Sequence, residues 1–116
     1  MIKIKQAYEQ ANKSDGFRIL VDGAWPKGVS KQDGSIDLWV RQIAPTPPLR
    51  KWFATDVKKF REFSRRYSDE LENRWGFLKK IKNTEQEKGT ITLIYGAKDR
   101  KYNNAVVLKE YLDNMR

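Results

Sequence analysis

Residues 16–30 read GFRILVDGAWPKGVS, from Gly16 to Ser30. Phe17 to Val21 is an apolar, partly β-branched run, which predicts a strand. The strand closes on a carboxylate, Asp22. A tryptophan, a proline and a lysine then follow among glycines, in a loop that extends to Ser35. Loops of that length in small domains are often functional. In open parallel sheets, ligands bind where strands end at their carboxyl side. This stretch therefore predicts both an α/β fold and the place of a site.

The flanking sequence supplies the remaining elements. Ile2 and Ile4 alternate with Lys3 and Lys5, the period of a half-buried strand. TITLIY, Thr90 to Tyr95, is a third strand, followed by the loop Gly96-Ala97-Lys98-Asp99-Arg100. Ile36, Trp39, Val40, Ile43 and Ala44 recur at the spacing of one helix face, with Ser35 as a cap and Asp37 in the first turn. Pro45, Pro47 and Pro48 would stop that helix. Leu49, Trp52 and Phe53 suggest a short helical turn. Asp56 can cap a longer helix striped by Val57, Phe60, Phe63, Tyr67 and Leu71. Gly76 is expected to interrupt or bend it, Trp75, Leu78 and Ile81 continue an apolar face, and Gly89 ends it. Asn103 or Asn104 can cap a last helix with Ala105, Leu108, Tyr111, Leu112 and Met115 on one face. The order strand, strand, helices, strand, helix predicts one small α/β domain over residues 1–116. It would have three layers, with a short, mostly parallel three-stranded sheet flanked by helices.

Composition narrows the chemistry. A chain of 116 residues with 39% hydrophobic and 34% charged content is globular in type and long enough for one core. No apolar run approaches the ~20 residues of a membrane span, and no signal peptide is visible at the N-terminus. A cytoplasmic protein is the expectation. With no cysteine and no histidine, thiolate nucleophiles, disulfides, the usual triads and the commonest zinc ligands are excluded. Catalysis would need Asp, Glu, Lys, Ser, Thr, Tyr, backbone amides or a cation held by carboxylates. A net charge of +9 favours anionic partners, the alternative being a basic but inert surface.

If the second and third strands are parallel neighbours, Asp22, Lys98 and Asp99 converge with Lys27 and Gly28. Glycine-flanked amides and a lysine suit a phosphate, although neither a P-loop nor a dinucleotide fingerprint is present. The competing reading makes Trp25 a plug for the sheet end, with Asp22 bonded to loop amides and Lys27 merely exposed. Elsewhere, Lys58, Lys59, Arg61, Arg65 and Arg66 form the densest basic stretch. They would be either a phosphate-tracking stripe or a solvated helix face. Trp39, Trp52 and Trp75 fall on predicted apolar faces, and Leu49 to Phe53 reads as a buried Trp-Phe anchor. Only Trp25, in a loop, is placed to stack on a ring.

Together with IDLWVRQIAP, LRKWF, RRYSDEL and TLIYGAKDRKYNNAVVLKEYL, the opening stretch resembles the YeaO-like family of uncharacterised bacterial proteins, domain of unknown function 488. The resemblance runs from Gly16 to Leu112. It implies a small α/β domain and no established activity. The family usually reads VDRLWPRG where this chain has VDGAWPKG, so Gly23 and Lys27 each stand in place of an arginine. It often reads GHD at Ala54-Thr55-Asp56 and EHNHA at Lys101 to Ala105, so the family's histidines are missing here. Asp22, Trp25, Pro26, Gly28, Lys98, Asp99 and Asn103 still match.

Three functions fit these residues. The first is binding of an anionic ligand (a nucleotide, a phosphorylated metabolite or nucleic acid) by Asp22, Trp25, Lys27, Gly28, Lys98, Asp99 and Asn103. The second is hydrolysis or group transfer with Asp22 or Asp99 as base, or with the pair holding magnesium. No other cofactor or metal is evident. The third is a protein-interaction domain with no small-molecule site.

Overall fold

The computed structural model describes residues 1–32 and 35–115. Asp33 and Gly34, in the predicted loop, lie outside the described residues. Four parallel strands form one sheet in the order β1 (Ile2–Gln6), β4 (Ile91–Tyr95), β2 (Phe17–Leu20), β3 (Leu38–Trp39). The three predicted strands are all present. β4 lies between β1 and β2 and is buried at every position, as expected for an apolar strand covered on both faces.

The fourth strand replaces part of a predicted helix. Residues 36–44 form β3 and a 3-10 turn at Arg41–Ile43 rather than a helix. Their apolar side chains divide between the two faces of the sheet. Ile36 and Trp39 pack with Leu20 and Ile94, whereas Leu38, Val40 and Ile43 join the main core. Spacing that resembles one helix face is here a strand crossing an edge. Backbone bonds from Asp37 N to Arg18 O (2.9 Å) and from Val40 N to Leu20 O (3.0 Å) fix it there.

The prolines expected to stop a helix begin one. Pro47 and Pro48 occupy the first turn of α1 (Pro47–Phe53), where the missing N–H costs nothing. Asp56 caps a 3-10 turn at Val57–Lys59 that leads into α2 (Phe60–Leu71). The chain breaks at residues 72–74, not at Gly76, which lies inside the first turn of α3 (Trp75–Lys88). Leu78 and Ile81 are buried as expected, but Trp75 is exposed. Asn103 accepts from Val106 N (3.0 Å) and caps α4 (Asn104–Asp113).

All four helices contribute buried side chains to one core cluster, against Ile2, Ile19, Val21, Ile91, Leu93 and Tyr95. The helices thus cover one face. The opposite face is covered by loops, through Trp25, Val29 and Ile36 over Ala7, Leu20 and Ile94. The third layer is a loop layer, not a helical one.

α1 ends on Ala54 in the left-handed region (φ 45°, ψ 37°), and Thr55 follows at φ 59°. A side chain in that region costs ~1–2 kcal/mol, and glycine is the usual residue there. Ala54→Gly should therefore raise unfolding free energy by about 1 kcal/mol and Tm by roughly 4 °C. A thermal melt that leaves Tm unchanged or lower would contradict the assigned backbone.

Candidate functional site

Because β2 and β4 are parallel neighbours, their carboxyl ends open at one edge. Asp22 sits there and ties three elements together. Its Oδ2 accepts from Gly96 N (2.8 Å) and its Oδ1 from the Asn104 side-chain amide (3.0 Å). Its carbonyl accepts from the Trp39 indole N–H (2.8 Å). Burial pushes the Asp22 carboxyl above its ordinary range, against the opposing pull of the Gly96 and Asn104 bonds and the Arg50 charge.

Next to Asp22 is a cavity of about 230 Å³. Its walls come from the strand ends (Asp22, Gly23, Ala24, Ala97), from Pro45 and the end of α1 (Arg50, Phe53, Ala54, Thr55), from Phe63 of α2, and from Tyr102, Asn103 and Asn104. The two left-handed residues thus form part of its wall. Strained backbone of this kind is concentrated at functional sites in proteins.

Arg50 is the one cationic residue of this lining. Its guanidinium lies where a side chain on Gly23 would begin. A Cβ there would be 2.4 Å from one terminal nitrogen, 3.0 Å from the central carbon and 3.2 Å from the other nitrogen. Gly23 therefore makes room for Arg50. Among the described residues, the guanidinium has no hydrogen-bond or salt-bridge partner, and its donors are available.

The predicted site residues separate. Asp22 and Asn103 line the cavity; Trp25, Lys27, Gly28, Lys98 and Asp99 do not. The Trp25 indole donates to Val29 O (2.6 Å) and meets Trp39 edge-on at 5.6 Å, on the loop-covered face. This is the plugging role. Lys27 is exposed, and its carbonyl accepts from the Tyr8 hydroxyl (3.0 Å). Gly28, at φ 79°, turns the loop and faces open space. Lys98 is exposed. The Asp99 carboxylate closes a turn by accepting from Lys101 N (2.8 Å) and Tyr102 N (3.0 Å), and its carbonyl accepts from Asn103 (2.9 Å). Asn103 is thus engaged on both sides. No group of three or more Asp or Glu able to hold a metal occurs among the described residues.

The basic stretch is largely balanced by its own neighbours. Arg65 pairs with Glu62 (2.7 Å) and Asp69 (3.1 Å), and Arg66 with Glu62 (2.9 Å). The bonds from Arg65 and Arg66 hold the Glu62 carboxyl down at about 2. Arg66 and Lys59 also lie over the Trp52 ring, at 4.1 and 5.1 Å. Lys58 and Arg61 are exposed on the same segment.

The sequence reading missed Arg50, Thr55, Tyr102 and Asn104. Arg50 belongs to a segment read as a Trp-Phe anchor. Only the fold brings it over Gly23, 27 positions earlier. A glycine where the resemblance puts arginine was the one available signal.

Comparison with known proteins follows the fold. A family model described as "Inactive DUF488-N3 subclade" matches residues 1–115. The chain is 37% identical over 114 residues to "Uncharacterized protein YeaO" of Escherichia coli (strain K12), covering 98% of each. It is also 37% identical over 70 residues to "Uncharacterized protein Rv3073c" of Mycobacterium tuberculosis (strain ATCC 25618 / H37Rv), covering 60% of this chain and 59% of that protein. No solved structure matches the chain. No helix among the described residues is long and apolar enough to cross a membrane.

Proposed function

We propose that this chain, which belongs to the DUF488-N3i family, the inactive DUF488-N3 subclade, binds a small anionic ligand without turning it over. The ligand sits in the cavity at the carboxyl ends of β2 and β4. The observation that carries this reading is Arg50, a guanidinium at the wall of a concave, mostly apolar cavity; it makes no hydrogen bond or salt bridge among the described residues and feels Asp22 only through space. A few placed polar groups in an apolar hollow are what small-molecule sites generally show.

The enzyme alternative has less support. Asp22 has both carboxylate oxygens occupied by N–H donors, and Asp99 is outside the lining. The word "inactive" in the family description points the same way. Nucleic-acid binding along α2 is weakened because Arg65 and Arg66 are already paired.

The test is a thermal-shift series with acetate, benzoate, sulfate and inorganic phosphate on the wild type and Arg50→Gln. At least one anion should raise the wild-type Tm in a saturable way and leave the variant unmoved. Equal shifts in both proteins would remove Arg50, and with it this site. An Asp22- and Asp99-dependent release of phosphate from p-nitrophenyl phosphate, with or without magnesium, would restore the enzyme.

A further inference from the structure

The cavity restricts which anion can fit. At about 230 Å³ it is smaller than the ~300–1,000 Å³ of sites for drug-sized ligands. It is larger than the ~150 Å³ hollow that takes up benzene. That leaves room for one ring and a short substituent, not for a nucleotide. The surroundings of the ring would be apolar: Phe53, Phe63, Pro45 and Ala97 supply carbon surface on several sides.

Charge restricts it further. One guanidinium faces one carboxylate, Arg50 against Asp22. A dianion would gain one counter-charge and meet one like charge. A monoanion meets the same like charge but needs only the one counter-charge that Arg50 supplies. The side-chain donors point the same way. The Asn103 and Asn104 amides already donate to Asp99 O and to Asp22, and the Thr55 hydroxyl to Ala54 O (2.6 Å). Among side chains, Arg50 and the Tyr102 hydroxyl remain for the ligand. Phosphate, with three strong acceptor oxygens, would find only these two side-chain donors. A planar carboxylate is matched by the two parallel N–H groups of one guanidinium.

Resting on the anion-binding reading of this cavity, we infer that its ligand is a monocarboxylate carried on a single ring, aromatic or heteroaromatic. The carboxylate lies on Arg50 at the Gly23 side and the ring lies between Phe53 and Tyr102. Gly23 is then a specificity residue that never touches the ligand. A Cβ there displaces the guanidinium from its seat.

Calorimetric titration with benzoate, acetate, inorganic phosphate and adenosine monophosphate tests this, on the wild type, Arg50→Lys and Gly23→Ala. Benzoate should bind at least tenfold more tightly than acetate, since burying one ring face-on is a large apolar transfer. Arg50→Lys, which keeps the charge but not the fork, should weaken benzoate roughly tenfold, and Gly23→Ala by a similar factor. Arg50 is exposed and Gly23 half-buried with the tip of Arg50 against it, so circular dichroism should show both variants folded. Phosphate or adenosine monophosphate bound through Arg50, with benzoate ignored, would overturn the ring-carboxylate class while leaving the anion site standing. Failure of all four probes on the wild type would remove both. Benzoate binding unchanged in both variants would place it elsewhere and overturn the inference.

Discussion

Asp15→Ala should lower the unfolding free energy by about 3 kcal/mol, the lower end of the cost of breaking a buried ion pair by removing one member. Asp15 and Arg18 are both 4% exposed, on the loop-covered side of the sheet. The Asp15 carboxylate receives Arg18 at 2.6 Å, Lys5 at 2.9 Å and the Asn12 backbone N–H at 3.1 Å. Its carbonyl also accepts from Thr92 Oγ1 (2.6 Å), which ties the turn before β2 to the middle of β4. Alanine would remove the carboxylate that Arg18 and Lys5 share, while the Arg18 Nε bond to Ser35 O (3.1 Å) would remain. The pH dependence carries a sign that checks the same contacts. Burial alone would raise the carboxyl, but Lys5, Asn12 and Arg18 outweigh it and hold it below its ordinary value of 3.8. The unfolded chain therefore binds this proton more readily than the folded one. The contribution is complete above the ordinary value and is lost as pH falls through the lower, folded one. Urea unfolding at pH 7 and pH 3 should show wild type and Asp15→Ala drawing closer in acid. A difference under 1 kcal/mol at pH 7 would mean that the network contributes little to the fold.

Where one segment makes one kind of contact, the sequence was easily read. Ile91 to Tyr95 is apolar at nearly every position because both of its faces are covered, and Phe63, Tyr67 and Leu71 lie on one stripe because α2 has one buried side. Asn103 was readable as a cap because capping is local. The segment at Ile36 to Ala44 misled because its apolar residues serve two faces at once, a division that periodicity cannot express. Trp25 looked like a candidate ligand contact for a similar reason. A loop tryptophan has no readable burial until the sheet face beneath it is placed. For Arg50 the sequence offered only the glycine at position 23. The position of Arg50 depends on where α1 packs beside the ends of β2 and β4, and on the absence of a side chain at Gly23. Asp22 was found, but its most visible role is structural.

That role separates two substitutions at Asp22. Asp22→Ala removes the acceptor for Gly96 N–H and for the Asn104 amide. Two half-buried donors lose their acceptor, with only a long bond from Asn104 to Val21 O (3.4 Å) remaining, which should cost about 2 kcal/mol in total. Asp22→Asn keeps one acceptor oxygen for Gly96, and the Asn104 amide can rotate to accept from the new NH₂ group, giving up only its long bond to Val21 O (3.4 Å). It also removes a charge that burial disfavours. At pH 7 it should lie within about 0.5 kcal/mol of the wild type, as substitutions that preserve their contacts generally do. The sign with pH is opposite to that at Asp15. A carboxyl raised above 3.8 in the folded state binds its proton more readily when folded, so wild-type stability falls as pH rises through that window. The asparagine variant has no such fall. Its stability relative to the wild type should therefore improve between pH 4 and pH 7, as read by chemical denaturation at both. Function divides the same way. A general base would be lost with Asp22→Asn. If Asp22 only shapes an anion site, losing its like charge should tighten benzoate severalfold. An asparagine variant as unstable as the alanine one would show that the ionised carboxylate itself holds the strand ends together.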